Sequence, residues 1–156
     1  VKGIKGDNYA TERTVPSGGA RHAFEVYIAA INVKGLEKGL YHYLPLNHEL
    51  ELIRLVDNIE NAVAESLDNQ KWAGKSAAVF YYTAIPYRSE WRYTINAAKL
   101  ILLDAGHAVQ NLYIGCGAIG CGTCAAADYN QDLSDELLQV DGKDEFVVYA
   151  APVGLI

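Results

Sequence analysis

Cys116, Cys121 and Cys124 have the types and spacing that point most directly to chemistry. They form a C-x4-C-x2-C run inside NLYIGCGAIGCGTCAA, residues 111–126. That spacing opens the ligand set of a plant-type iron–sulfur cluster, which needs four thiolates, and the chain has three cysteines. A Cys3His zinc site would need a distant histidine. The neighbours Gly115, Gly117, Ala118 and Gly120 supply no polar groups to orient a ligand. No metal is expected, and the cysteines read as small apolar fillers. The glycines say more. Gly115, Gly117, Gly120 and Gly122 remove bulk along one stretch, so that another backbone or a flat ligand can come close. Tight helix–sheet packing with a glycine cap would account for them equally well.

A second candidate group precedes the cysteines. Asp104, His107 and Asn111 are spaced i, i+3, i+7 and share one helix face, with Gln110 beside them. Buried polar groups need partners, since each one left unpaired costs about 1–3 kcal/mol. The stripe therefore caps neighbouring loops, meets a second subunit or faces the polar edge of a ligand.

The third group is ERTVPSGGARHAFEVY, residues 12–27. Pro16-Ser17-Gly18-Gly19 places a turn directly before a core strand. The amides of such a turn can receive an anion or the heteroatom edge of a planar ring. Arg13 and Arg21 add positive charge.

The elements that must position these groups follow from the residue pattern. Residues 1–19 read as an exposed lead-in rich in glycine and proline. Residues 23–33 read as a strand, and 40–44 with the run from 49 as a hairpin. A short amphipathic helix follows Asp57 as N-cap, with Ile59, Val63 and Leu67 inward. Residues 76–85 are a nearly continuous apolar run, expected as a central strand. Residues 91–119 are expected as one long helix, apolar almost all round and therefore buried. An extended segment, a short surface helix at LSDELLQV and a final strand over 145–154 complete an α+β domain of helices packed on a mixed sheet. There is no repeat or linker, so residues 1–156 form one domain.

Composition narrows the function classes. The net charge of -6 argues against a nucleic-acid surface. It also argues against an anionic membrane surface. Polar residues interrupt the most apolar window, residues 100–119, which argues against a membrane span. The opening residues lack the apolar core of a secretory signal, so a reducing cytoplasm is the expected compartment. The chain has no methionine, even at position 1. The expectation is a processed product, or a fragment lacking N-terminal helices.

Four blocks, taken in order, carry a more specific signal: RTVPSGGARHAFEVY, GLEKGLYHYLPLNHELELIR, LLDAGHAVQNLYIGCGAIGCGTCAAADYN and LLQVDGKDEFVVYAAPVG. Together they span residues 13–154 and resemble the FMN-dependent nitroreductase-like family, in particular its SagB/ThcOx-type dehydrogenase branch. The resemblance implies an α+β homodimer with FMN at the subunit interface. Hydride would come from NAD(P)H or from the substrate and pass to a small organic or peptide-derived acceptor. The SagB-type branch oxidises azolines in modified peptides to azoles. Carried over by position, Pro16, Ser17, Gly18 and Gly19 would approach the flavin ring with Arg21 as a polar contact. Gln110 and Asn111 lie in the family's Q-N-L block. Ala125, Ala126 and Ala127 would offer backbone groups near the ring.

The sequence also departs from the family. The Arg-rich opening helix that grips the FMN phosphate lies outside the chain, as does the basic residue usual beyond the last strand. Ala23 stands where a proline is usual. The branch's lysine–tyrosine pair has no clear counterpart, Lys99 and Tyr93 lying nearest. A cofactor-free binding or structural subunit of the same fold is the alternative expectation.

Overall fold

The structure, a computed structural model, describes residues 2–5 and 8–156. Where an irregular lead-in is expected, β1 (Lys2–Lys5) and β2 (Asn8–Thr11) pair antiparallel. The remaining strands are β3 (Phe24–Ala30), β4 (Gly39–Leu44), β5 (Glu49–Leu55), β6 (Ala78–Ala84), β7 (Cys121–Thr123) and β8 (Phe146–Leu155). They form one six-stranded sheet in the order β5-β4-β3-β6-β8-β7. Every pairing recorded in it is antiparallel, so the mixed character lies in the α+β layering and not in strand direction.

The period-2 alternation of the strands sorts their side chains onto two faces. On one face, Tyr27, Ala29, Leu40, Val79, Tyr81 and Val147 meet Ile59 and Val63 of helix α1 (Ile59–Ser66) and Leu67 just beyond it. Leu137 and Leu138 of the helix at Gln131–Leu138 close this core. Each fully buried aliphatic side chain contributes about 1.5–3 kcal/mol. On the other face, Tyr82, Ala84, Ala151, Phe24, Val26 and Val148 pack against Ile101 and Val109 of the longest helix.

That long helix differs from expectation in two ways. It is divided into α2 (Tyr87–Tyr93), a 3-10 turn at Thr94–Asn96, and α3 (Ala97–Ala118). The break falls at Thr94, whose φ of 47° no continuous helix contains. It is also buried on one side only. Ile101, Ala105, Val109 and Cys116 face the sheet, while Leu102, Leu103 and Ile114 are 66%, 55% and 63% exposed. A single sheet face covers one stripe of a helix, and no other described element lies over the opposite one.

The caps differ in detail as well. Asn58, not Asp57, precedes α1, in the left-handed region and without a side-chain cap. The helix at Gln131–Leu138, α4, has a true cap: the Asn130 side-chain oxygen accepts the Leu133 N–H at 3.0 Å. Asn130→Ala is expected to lower stability by about 1 kcal/mol in urea unfolding. An unchanged midpoint would contradict this cap.

Candidate functional site

The loop before β3 is held in place by α3. Gly18 N–H donates to Asp104 Oδ2 at 2.9 Å, and Asp104 is buried. Seven residues further along the same helix face, Asn111 Nδ2 donates to the Thr14 carbonyl at 2.8 Å. Two members of the polar stripe thus cap the incoming arm. His107 and Gln110 point to solvent.

Within the loop, Ala20 N–H donates to the Ser17 carbonyl, Arg21 N–H to the Gly18 carbonyl and His22 N–H to Ser17 Oγ. Of the turn amides expected to face a ligand, that of Gly18 is taken by Asp104, and those of Ala20, Arg21 and His22 just beyond the turn are also occupied within the fold. Glycine at position 19 has two causes: its φ is +60°, and a Cβ there would lie 2.3 Å from the Tyr93 hydroxyl. Arg21 Nε donates to the Gly19 carbonyl at 2.9 Å, and its guanidinium lies 5.2 Å from the centre of the Trp91 ring. Lys99 is exposed.

The structure packs Pro16–Gly19 against the side of α3 that carries Asp104 and Asn111, whereas Gln110 is exposed on that helix and Arg21 turns toward Trp91 of α2 and the cleft described below. Ala125–Ala127 run elsewhere, along β8. Ala126 exchanges both backbone hydrogen bonds with Ala150, and Ala125 N–H donates to the Tyr113 hydroxyl at 2.9 Å. Ala127 is exposed. Further along α3, Gly115 lies on the side of the helix that carries Asp104 and Asn111 and leaves an open floor there: a Cβ built on it meets nothing within 4 Å. Gly117, two residues on, points to another side of the helix. Cys116 turns inward, and burial pushes its thiol above the usual range, which suppresses the nucleophilic thiolate. Among the described residues, no three His, Cys, Asp or Glu side chains come together to hold a metal. None of the helices is long and apolar enough to cross a membrane.

Sequence reasoning missed a second constellation on the other face of the sheet. Glu25 Oε1 accepts from Arg88 Nη1 at 2.5 Å, and Glu25 Oε2 lies 2.9 Å from His42 Nε2. His42 stacks on Tyr27 with ring centroids 4.7 Å apart. Arg88 also donates to the His22 carbonyl, and His22 Nε2 lies 2.9 Å from the Thr11 carbonyl. These residues line a cleft of about 690 Å³ with Arg13, Arg21 and the β4–β5 turn. The signal was a carboxylate at Glu25, in strand register with the core positions Tyr27 and Ala29.

With this geometry in place, the comparisons are informative. The Nitroreductase family model matches residues 8–155. The nitroreductase-like protein MJ1384 of Methanocaldococcus jannaschii is 27% identical over 143 residues, covering 91% of this chain and 70% of that protein. The trifolitoxin-processing protein TfxB of Rhizobium leguminosarum bv. trifolii is 27% identical over 141 residues, 85% of this chain and 38% of its own length. A nitroreductase-like crystal structure from Anabaena variabilis superposes with a TM-score of 0.91 at 25% identity, covering 98% of this chain and 31% of that one.

Two predictions follow from the loop geometry. Asp104→Ala removes the charged acceptor of Gly18 N–H and is expected to cost about 2 kcal/mol in chemical unfolding, while Asp104→Asn, which keeps an acceptor oxygen, costs less. Equal losses in both variants would contradict the role given to Asp104. Burial lowers the pKa of His22 below its ordinary 6.5, against the opposing effect of its contact with the Thr11 carbonyl. The unfolded chain then binds the proton more readily, so this contribution is full above about pH 6.5 and is lost as pH falls below it. Urea unfolding from pH 7.5 to 5 is expected to show that loss, and His22→Gln to flatten it.

Proposed function

This chain belongs to the nitroreductase family, and from that premise we propose that it is the core of a flavin oxidoreductase. It would pass hydride between a nicotinamide or organic donor and a small organic or peptide-derived acceptor. The observation that carries this reading is the open glycine floor at Gly115, one turn beyond the Asn111 that anchors the 13–19 arm. A planar ring would find room there, since a Cβ on Gly115 meets no neighbour. FMN, when bound, supplies the hydride-accepting and hydride-donating chemistry.

The chain's own residues would bind and orient the ring. Pro16–Gly19 would form one border, Arg21 would reach the ring from the end of that loop, and Gln110 would offer an exposed amide on α3. Asp104 and Asn111 act indirectly, by fixing the loop. Ala125–Ala127 have less to offer, since two of their three amides are already engaged. The peptide-derived acceptor is supported by the likeness to TfxB, a peptide-toxin processing protein by name, and is in keeping with the SagB-type branch. The chain spans 38% of TfxB, so partners and substrate remain part of the proposal.

A second copy of the chain would complete the site. Ile95, Leu102, Leu103, Ile114 and Ile119 form an exposed apolar face along α3 and its two ends, between 55% and 92% accessible. Apolar exposure on this scale marks an association surface. The cofactor-free subunit is the second reading. Its supporting observation is that Gly18, Ala20, Arg21 and His22 already spend their amides inside the fold.

Gly115→Leu separates the two readings. It adds a better helix former where a Cβ meets no neighbour, so stability is expected to be unchanged or raised. Quenching of FMN fluorescence is expected to show affinity falling at least tenfold, or about 1.4 kcal/mol. Unaltered FMN affinity would overturn the glycine floor as the ring's seat. Sedimentation equilibrium is expected to give twice the 17.0 kDa chain mass, and the monomer mass for Leu102→Glu. A monomeric parent chain would contradict the apolar face as a self-association surface.

A further inference from the structure

The cleft around Glu25 and His42 is built for a negative charge. The chain as a whole carries a net charge of -6, yet three arginines and two histidines line this one cavity, namely Arg13, Arg21, Arg88, His22 and His42. One carboxylate, Glu25, stands among them, and both its oxygens are taken, by Arg88 and by His42. Glu49 lies just outside, hydrogen-bonded by the Asn47 amide. Asp104 approaches His22 from α3 but is committed to Gly18 N–H. Among the described residues, Arg13 and Arg21 enter no ion pair.

We propose that this cleft binds an oxyanion, the carboxylate or phosphate group of a ligand, with Arg13 as its principal contact and Arg21 and Arg88 flanking it. Arginine forks match both groups through paired N–H donors. Glu25 plays a preorganising part. It fixes the Arg88 guanidinium, which also holds the His22 carbonyl. It thereby ties the floor of the cleft to the loop that carries Arg21. Burial works against the charge of Arg13, and a bound anion would relieve that. The remaining wall is Leu44, Pro45, Leu46 and Asn47, a turn whose apolar members suit the body of a molecule whose acidic group sits deeper.

The site stands on its own residues and does not depend on the flavin reading. Its oxyanion is the acidic group of a ligand other than FMN. Glu25 and His42 of the cleft lie on the Tyr27 face of the sheet, while Arg13 and His22, from the 13–22 arm, also border Asp104 and Ala108 of α3.

The test is a two-dimensional amide NMR titration of the whole chain with inorganic phosphate and, separately, with succinate. Saturable shifts are expected at Arg13, Arg21, His22 and Asn47 with at least one probe. Arg13→Gln should weaken that binding at least tenfold and Arg13→Lys should restore part of it. Asn47→Asp, an exposed rim substitution that adds a negative charge, should weaken it with the fold intact, so the proposal stays testable if Arg13→Gln folds poorly. Competition by FMN would assign the anion to the cofactor's phosphate. That outcome would overturn the proposal, whereas binding indifferent to FMN, the expected result, assigns the cleft to a second ligand. The proposal is overturned if neither probe produces saturable shifts up to about 10 mM. It is equally overturned if both Arg13→Gln and Asn47→Asp bind as the parent does.

Discussion

A single charge-assisted hydrogen bond, from Gly18 N–H to the Asp104 carboxylate, fixes the relation between the loop before β3 and helix α3. Everything proposed for the flavin side depends on it. The loop has left-handed conformations at Gly19, Ala20 and His22, which cost energy for any residue with a Cβ. Such a backbone persists when its surroundings over-determine it. Here Asp104, Asn111, Tyr93 and the Ser17 hydroxyl do so from four directions. The loop is therefore a rigid border for the site and not a free anion nest.

The same helix serves two environments. Its inward stripe, with Ile101, Ala105 and Val109, belongs to the core, while its outward stripe remains apolar and uncovered. An uncovered apolar stripe of this kind is costly in water. On the proposed reading a second copy of the chain would cover it and would place the glycine floor at a seam between copies.

Much of this architecture was legible in the sequence. The hairpin at residues 39–55, the strand at 78–84 and the final strand carry patterns that only a sheet satisfies, and they lie where expected. Loop capping by Asp104 and Asn111 was one of the readings open from their i, i+7 spacing. Other features were not legible. The division of the long helix rests on the φ of Thr94, a backbone choice that residue type does not announce. The occupied Gly18 amide depends on a partner 86 residues away in sequence, Asp104. The Glu25–His42–Arg88 constellation gathers three separate elements through sheet register, which spacing along the chain cannot reveal. The cysteines of the run fall in different environments, with Cys116 buried and Cys124 exposed, which spacing alone does not announce.

The most direct test of the central claim is an absorbance spectrum of the purified chain after FMN is added back and the excess removed by desalting. The account predicts retained visible flavin bands at about one FMN per chain, since one loop and one glycine floor per copy define one ring site. A colourless protein, folded by circular dichroism and dimeric by sedimentation, would contradict it and leave the cofactor-free subunit as the reading that stands.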